Sequence, residues 1–254
     1  MKVSRSVETE WLKEKRSANR KLLWLAPLNF VLLSFGLVLL MGPSPDGKHS
    51  YIVAATFNWY SLLILPVILT LLVTNLLKKE KTVNQVFYRT TGAGLKEQII
   101  GKNIVAMIEI IFILLISTIF IFFIGKSLLK ENLSAIQLTT AAIYLIVGSL
   151  PVMSLSFILY RFLNQTLVLL INFILGNVAA VVAVESWWWL FPWSYNLRMM
   201  APALGVHPNG TFLPAGDPLL NQDALLIGVG MAFIVYLLLL SVQLFMARRV
   251  ENHG

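Results

Sequence analysis

Six stretches of about twenty mostly apolar residues run along the chain, separated by segments rich in polar and charged residues. They cover residues 22–41, 57–77, 104–124, 136–160, 166–184 and 224–247. A helix needs about 20 apolar residues to cross the hydrocarbon core of a bilayer, and it satisfies its own backbone hydrogen bonds there. Strands of a membrane barrel would instead alternate over about 10 residues. The pattern predicts an all-α integral membrane protein with six transmembrane helices.

Composition supports this prediction. The chain has 254 residues, of which 57% are hydrophobic and only 13% are charged, whereas about a quarter of the residues of a soluble domain carry charge. Cysteine is absent, which excludes disulfides, thiolate metal ligands and a thiol nucleophile.

The basic residues indicate how the chain crosses the membrane. Seven lie before the first predicted span and six lie between the second and third, and four lie on the opposite side. The side with more Lys and Arg is the cytoplasmic one. Both termini are therefore expected in the cytoplasm, and the net charge of +8 is explained by topology without a nucleic-acid partner.

The N-terminal segment, residues 1–21, combines spaced apolar residues with many basic ones. Val3, Val7 and Trp11 recur at helical spacing, with Leu12 beside Trp11. This pattern is typical of an amphipathic helix that lies on the inner membrane surface. The alternative interpretation is a basic tail that only sets the topology.

The predicted cytoplasmic connection at residues 78–102 also contains an amphipathic stretch. Val83, Val86 and Phe87 share one helical face, and Gly92 and Gly94 follow them. A short helix of this kind between two spans could insert into a groove on a soluble partner. The alternative is a solvated basic loop.

The predicted outer connection at residues 185–223 contains the stretch ESWWWLFPWSYNLRMMAP. Trp and Tyr gather at membrane–water interfaces, and the stretch is too short to cross about 30 Å. It is predicted to be a re-entrant element before the last span, and the alternative is a plain aromatic belt. The candidate cargo-facing or interfacial residues are Trp187, Trp188, Trp189, Trp193, Tyr195 and Arg198.

Motifs for catalysis are missing from the sequence. Neither the GxxxxGK[ST] phosphate loop nor the HExxH zinc motif occurs, and the three histidines lie outside the predicted spans. We therefore predict no catalytic residue, cofactor or metal ligand. Glu109 is the acidic residue inside a predicted span. A carboxylate there is costly and usually faces protein or water, so a structural role and a functional role both stay open.

The order of these features resembles the permease subunit of an ABC-2 type transporter, and more closely the lantibiotic-immunity permeases, the E/G-type subunits of self-protection exporters. The residues that carry the resemblance are EWLKEKRSANRKLLWLAPL at positions 10–28 and PWSYNLRMMAPALGVHPNG at positions 192–210. The second motif is more similar to the E subunit. The architecture covers the whole chain, with an interfacial helix at 1–21 and a transmembrane domain at 22–254.

The resemblance implies a bacterial plasma-membrane protein that expels a cationic lanthionine peptide. It implies a heterodimer with a second homologous permease and two copies of an ABC ATPase, in contact with membrane lipid. A dense aromatic surface would suit such a peptide through apolar contact and cation–π attraction. The ATPase-coupling helix would comprise Thr82, Val83, Val86, Phe87, Tyr88, Arg89 and Thr90.

Other functions stay possible at this point. An ABC-2 permease could carry another cargo, such as a lipid, a polysaccharide or another antimicrobial. A stand-alone secondary transporter is a further alternative, although the inverted repeats typical of that class are not evident. A membrane enzyme is disfavoured because no span offers a histidine base or a paired carboxylate.

Overall fold

A computed structural model describes residues 3–15, 17–41, 50–78 and 94–252. Nine helices organise these residues: α1 (Val3–Glu14), α2 (Ala18–Met41), α3 (Tyr51–Leu63), α4 (Leu65–Lys78), α5 (Leu95–Ser127), α6 (Ala135–Leu159), α7 (Gln165–Val182), α8 (Tyr195–Leu204) and α9 (Asp223–Asn252). Short 3-10 turns precede α8 and α9. Within these ranges the only β feature is an isolated bridge between Val206 and Phe212.

Five helices, α2, α5, α6, α7 and α9, are long and apolar enough to cross a membrane. The bent pair α3–α4 brings the number to six if it forms one span. The prediction of an all-α protein with membrane-spanning helices is confirmed at this level.

The bent pair α3–α4 differs from the second predicted span. It begins at Tyr51 rather than at residue 57, and it bends by 50° at Ile64 between α3 and α4. A π-helical turn, Ala55–Trp59, lies inside α3. Pro66, at the start of α4, has no N–H to offer to the preceding turn, which accounts for a break at this position.

Helix α5 is longer than the third predicted span. It runs for 33 residues from Leu95 to Ser127, so residues 95–102, which the sequence assigned to a connection, are helical. The prediction failed there because Gln98, Lys102 and Asn103 look like loop residues. All three are buried against other helices.

Helix α1 packs differently from the expected amphipathic helix. It ends at Glu14, and residues 18–21 already belong to α2. Its buried residues are the polar ones, Ser6, Glu10 and Glu14, and they share one face at helical spacing. Val3 and Leu12 are exposed. The polar face therefore contacts protein. Val7 and Trp11 also pack against the bundle, with 6.4 Å between the ring centroids of Trp11 and Phe112, so the protein-facing side of α1 combines polar and apolar residues.

The interior and the outer surface are both apolar, as expected for a membrane bundle. Phe30, Phe57 and Tyr60 form a buried aromatic group, with 4.1 Å between the ring centroids of Phe30 and Tyr60. Large apolar side chains also cover the outside of α2 and α9, for example Leu40 at 85% exposure and Leu226 at 79%. Such a surface is stable in lipid and costly in water.

Candidate functional site

The segment after α7 turns back into the helix bundle. At its deepest point the indole Nε1 of Trp193 donates to Asn172 Oδ1 over 3.1 Å. Asn172 lies ten residues before the end of α7, which is about 15 Å along a helix. The Asn172 side-chain amide also donates to Thr70 and Ser156. The chain therefore descends beside α7 to a buried polar contact shared with α4 and α6.

Helix α8 then returns toward the end of the bundle where the segment entered. Asn196 Nδ2 donates to Ser149 Oγ near the middle of α6, at 3.1 Å. At the other end of α8, the carbonyl oxygen of Ala203 accepts a hydrogen bond of 3.2 Å from Gln137 Nε2. Gln137 lies near the start of α6. Ser149 and Gln137 are separated by about 18 Å along α6. These contacts define a descending and returning path, which we name the folded-back segment, residues 185–204.

Local sequence explains this path. Phe191 has an extended backbone, and Pro192 follows it at the first position of a 3-10 turn, so the chain changes direction there. The Ser194 hydroxyl donates to the carbonyl of Trp188, and the Tyr195 hydroxyl donates to that of Trp189. Gly205 ends α8 in the left-handed conformation, φ 69°, which glycine adopts without steric cost.

The six aromatic and basic residues expected to form one surface divide into two groups. Trp187 and Trp189 are exposed and Trp193 is partly buried. Trp188, Tyr195 and Arg198 are buried, so they are corrected from surface residues to packing residues. The rings of Trp188 and Tyr195 meet edge to face with centroids 6.1 Å apart. The folded-back geometry turns them inward, which the density of aromatics alone did not reveal.

Arg198 stabilises the packing of the folded-back segment. Its guanidinium lies over the Trp188 ring, 5.7 Å from the centroid, and donates to Leu219 O over 2.8 Å. Burial lowers the pKa of Arg198, and the nearby Asp217 carboxylate opposes that shift. An arginine keeps its charge under such conditions. Arg198 therefore ties α8 to the 3-10 turn Pro218–Leu220.

Glu109 lies inside a second polar cluster. It is fully buried on α5, about 21 Å along the helix from Leu95. Its Oε2 accepts a hydrogen bond from Asn19 Nδ2 at 2.9 Å. Asn19 also donates to Leu72 O and accepts from Asn75 Nδ2. The carboxylate thus bonds to α2, and Asn19 in turn connects it to α4.

The predicted coupling helix lies outside the described residues, together with all seven of its named residues, Thr82, Val83, Val86, Phe87, Tyr88, Arg89 and Thr90. The structure describes the helices on either side of it, α4 and α5. Lys78, the last residue of α4, bonds to the Gln165 amide of α7. Early in α5, Lys102 pairs with Glu10 of α1.

Several polar residues inside the spans were missed by sequence reasoning. Asn172 joins three elements, and Gln243 of α9 joins α5 and α6 through Asn103 and Ser154. The signal was present, because an amide inside an apolar span usually bonds to another helix. Within the described ranges, no group of three or more His, Cys, Asp or Glu side chains could hold a metal ion.

Comparison of the chain with protein-family models, with curated proteins and with solved structures gave no match.

Proposed function

We propose that this chain is the permease subunit of an ABC exporter that removes a cationic lanthionine peptide from the membrane. The observation that carries the proposal is the folded-back segment, which enters the bundle beside α7 and returns along α6 just before the last span. A re-entrant element at this place in a six-span chain is a feature of the resemblance to ABC-2 permeases. Trp187 and Trp189 remain exposed on it, available to an amphipathic peptide.

The proposal places the α1 side of the bundle in the cytoplasm, following the distribution of Lys and Arg. Residues 82–90 would receive the movement of a separate ATPase. A second, homologous permease would complete a heterodimer served by two ATPase copies. Hydrolysis would then shift the permeases between conformations that differ in affinity for the peptide.

The test begins with the neighbouring genes, which should encode an ATPase with a phosphate loop and a second six-span permease. Co-expression of the three proteins in a sensitive bacterium should raise the inhibitory concentration of a cationic lanthionine peptide. The matched control replaces the phosphate-loop lysine of the ATPase and should abolish that gain. Protection that persists in this control, or a neighbourhood without an ATPase, would reject the proposal.

A second candidate, a secondary transporter, is favoured by one observation: a buried carboxylate between helices, Glu109, bonded to Asn19. Intramembrane carboxylates serve as proton relays in such proteins. The same cells separate the two candidates. Protection that survives the ATPase control and is lost when an ionophore dissipates the proton gradient would favour the secondary transporter.

A further inference from the structure

The outer surface of the bundle carries a groove between α5 and α6. It lies at the end of the bundle where α5 stops and α6 begins, and its cavity volume is about 130 Å³. Its walls include Thr118, Ile119, Phe122, Phe123, Leu138 and Thr139. Ile119 and Phe123 are more than half exposed, so the groove opens sideways, toward the apolar surroundings of the spans.

A lysine side chain lies near one end of this groove. Lys126 Nζ lies 5.0 Å from the centroid of the Phe122 ring, and Phe122 is a wall residue. Among the described residues no carboxylate forms an ion pair with Lys126. Lys130, also exposed, follows in the turn after α5. The groove wall extends about 7.5 Å along α5, from Thr118 to Phe123, and Lys126 lies about one helical turn beyond it.

We propose that this groove binds one anionic phospholipid, with an acyl chain along the α5–α6 walls and the headgroup phosphate at Lys126. The arrangement matches an amphiphile, since it is apolar toward the middle of the spans and cationic where α5 ends. Lysine side chains near helix ends extend toward the interface in this manner, and basic groups there attract anionic headgroups. A cationic peptide is a poor occupant because Lys126 repels it.

The charge distribution points the same way. The chain has 20 Lys and Arg residues, and the side that the positive-inside rule makes the outer one holds Lys48, Lys126, Lys130 and Arg198. Arg198 is buried in the fold. Lys126 thus lies beside a groove wall residue, and Lys130 follows it in the turn, on the side where basic residues are otherwise scarce. This inference does not depend on the proposed transport function.

The experiment uses the purified full chain, stripped of lipid and titrated with phosphatidylglycerol or with phosphatidylcholine of the same acyl chains. Native mass spectrometry measures the fraction of chain that retains one lipid. We expect a preference of about fivefold for phosphatidylglycerol, as one phosphate contact to a lysine near the surface would give. Lys126→Ala should remove the preference, and Lys21→Ala, an exposed lysine at the α1 end, should keep it.

Filling the groove tests the acyl-chain site separately. Thr139 is exposed and donates only to Ala135 O of its own helix, so Thr139→Trp breaks no contact between helices. It should reduce retention of both lipids about tenfold at an unchanged melting temperature. If that variant does not fold, Ala135→Leu fills the same groove. Equal retention in wild type, Lys126→Ala and the filled variant would overturn the proposal and show general coating by annular lipid.

Discussion

Lys102 Nζ lies 3.1 Å from Glu10 Oε1, and both side chains are only 3% exposed. The pair joins α1 to α5 one residue beyond Gly101, where an added Cβ would lie 2.6 Å from Ser6 Oγ. Helix α1 is therefore held against α5 by a close backbone approach and a buried charge pair.

Removing one member of this pair should release α1. We expect Glu10→Ala to lower the free energy of unfolding by about 3 kcal/mol, because a buried lysine loses its carboxylate. Thermal unfolding in detergent and trypsin cleavage within α1 measure the effect. Glu8→Ala, an exposed residue of the same helix, is the control and should change stability by less than about 0.5 kcal/mol. An α1 that resists trypsin equally in both variants would contradict the assignment.

Neighbouring tryptophans of the folded-back segment should respond in opposite ways. Trp188 is 6% exposed and contacts Tyr195 and Arg198. We expect Trp188→Ala to cost about 3–5 kcal/mol, the usual range for removing a buried large aromatic ring. A fall in the yield of monodisperse protein and in melting temperature checks this.

The exposed pair, Trp187 and Trp189, supplies the matched comparison. Replacing both with Ala should leave the melting temperature within about 2 °C of wild type. If the proposed exporter function holds, the same double variant should lower peptide protection at equal membrane expression. A loss of folding as large as that of Trp188→Ala would mean that the pair anchors the fold.

The cluster around Glu109 should tolerate an amide but not an alkyl group. Glu109→Gln keeps an oxygen to accept from Asn19 Nδ2, so its stability should stay within about 1 kcal/mol of wild type. Glu109→Leu removes an acceptor for a buried donor, which costs about 1–3 kcal/mol. Melting temperatures in detergent check both. A transport defect in a well-folded Glu109→Gln variant would instead assign a functional role to the charge.

Apolar periodicity predicted the spans well, because an uninterrupted apolar run of about twenty residues has few other stable forms. It failed where polar residues are buried by contacts that are remote in sequence. Lys102 and Asn103 can be buried in α5 because Lys102 forms an ion pair with Glu10 and the Asn103 amide donates a hydrogen bond to Gln243. The residues next to them in the sequence do not indicate those partners.

The folded-back segment shows the same limit. Its composition predicted a short element that does not cross the membrane. The path of the segment is fixed by its hydrogen bonds to Asn172 of α7 and to Ser149 and Gln137 of α6, which are remote in sequence. Composition places tryptophans at an interface. It does not separate Trp188, which is buried, from Trp189, which is exposed.

Close packing of α8 against α6 should make a larger side chain at one glycine destabilising. A Cβ on Gly148 would clash with Asn196 Oδ1 and lie 2.8 Å from Met199 Cε. Asn196 is itself fixed by its bond to Ser149. We expect Gly148→Ala to destabilise the protein by about 1–3 kcal/mol through overpacking, measured as a lower melting temperature in detergent.

Gly230 is the matched control within α9, because no atom lies within 4 Å of its added Cβ. Gly230→Ala should therefore be neutral or stabilise the protein by up to about 1 kcal/mol, the difference in helix propensity. Equal destabilisation by the two substitutions would show that α8 does not pack closely against Gly148.

Glu131 should make stability depend on pH. It lies in the turn between α5 and α6 and bonds to the Ser50 hydroxyl at the start of α3. Burial raises the pKa of Glu131 above its ordinary value of 4.5, against a smaller opposing effect of the Ser50 hydrogen bond. As pH rises past 4.5, the unfolded chain loses this proton first, so the free energy of unfolding falls until the folded carboxyl also ionises.

Glu131→Gln removes this titration and keeps a partner for Ser50. Its melting temperature should therefore gain on that of wild type as pH rises from about 4 to about 7.5, and the two should converge at the acidic end. Glu8→Gln, at an exposed position of α1, controls for the loss of one negative charge and should follow wild type. A constant difference in melting temperature between wild type and Glu131→Gln across this pH range would show that ionisation of Glu131 does not destabilise the folded protein.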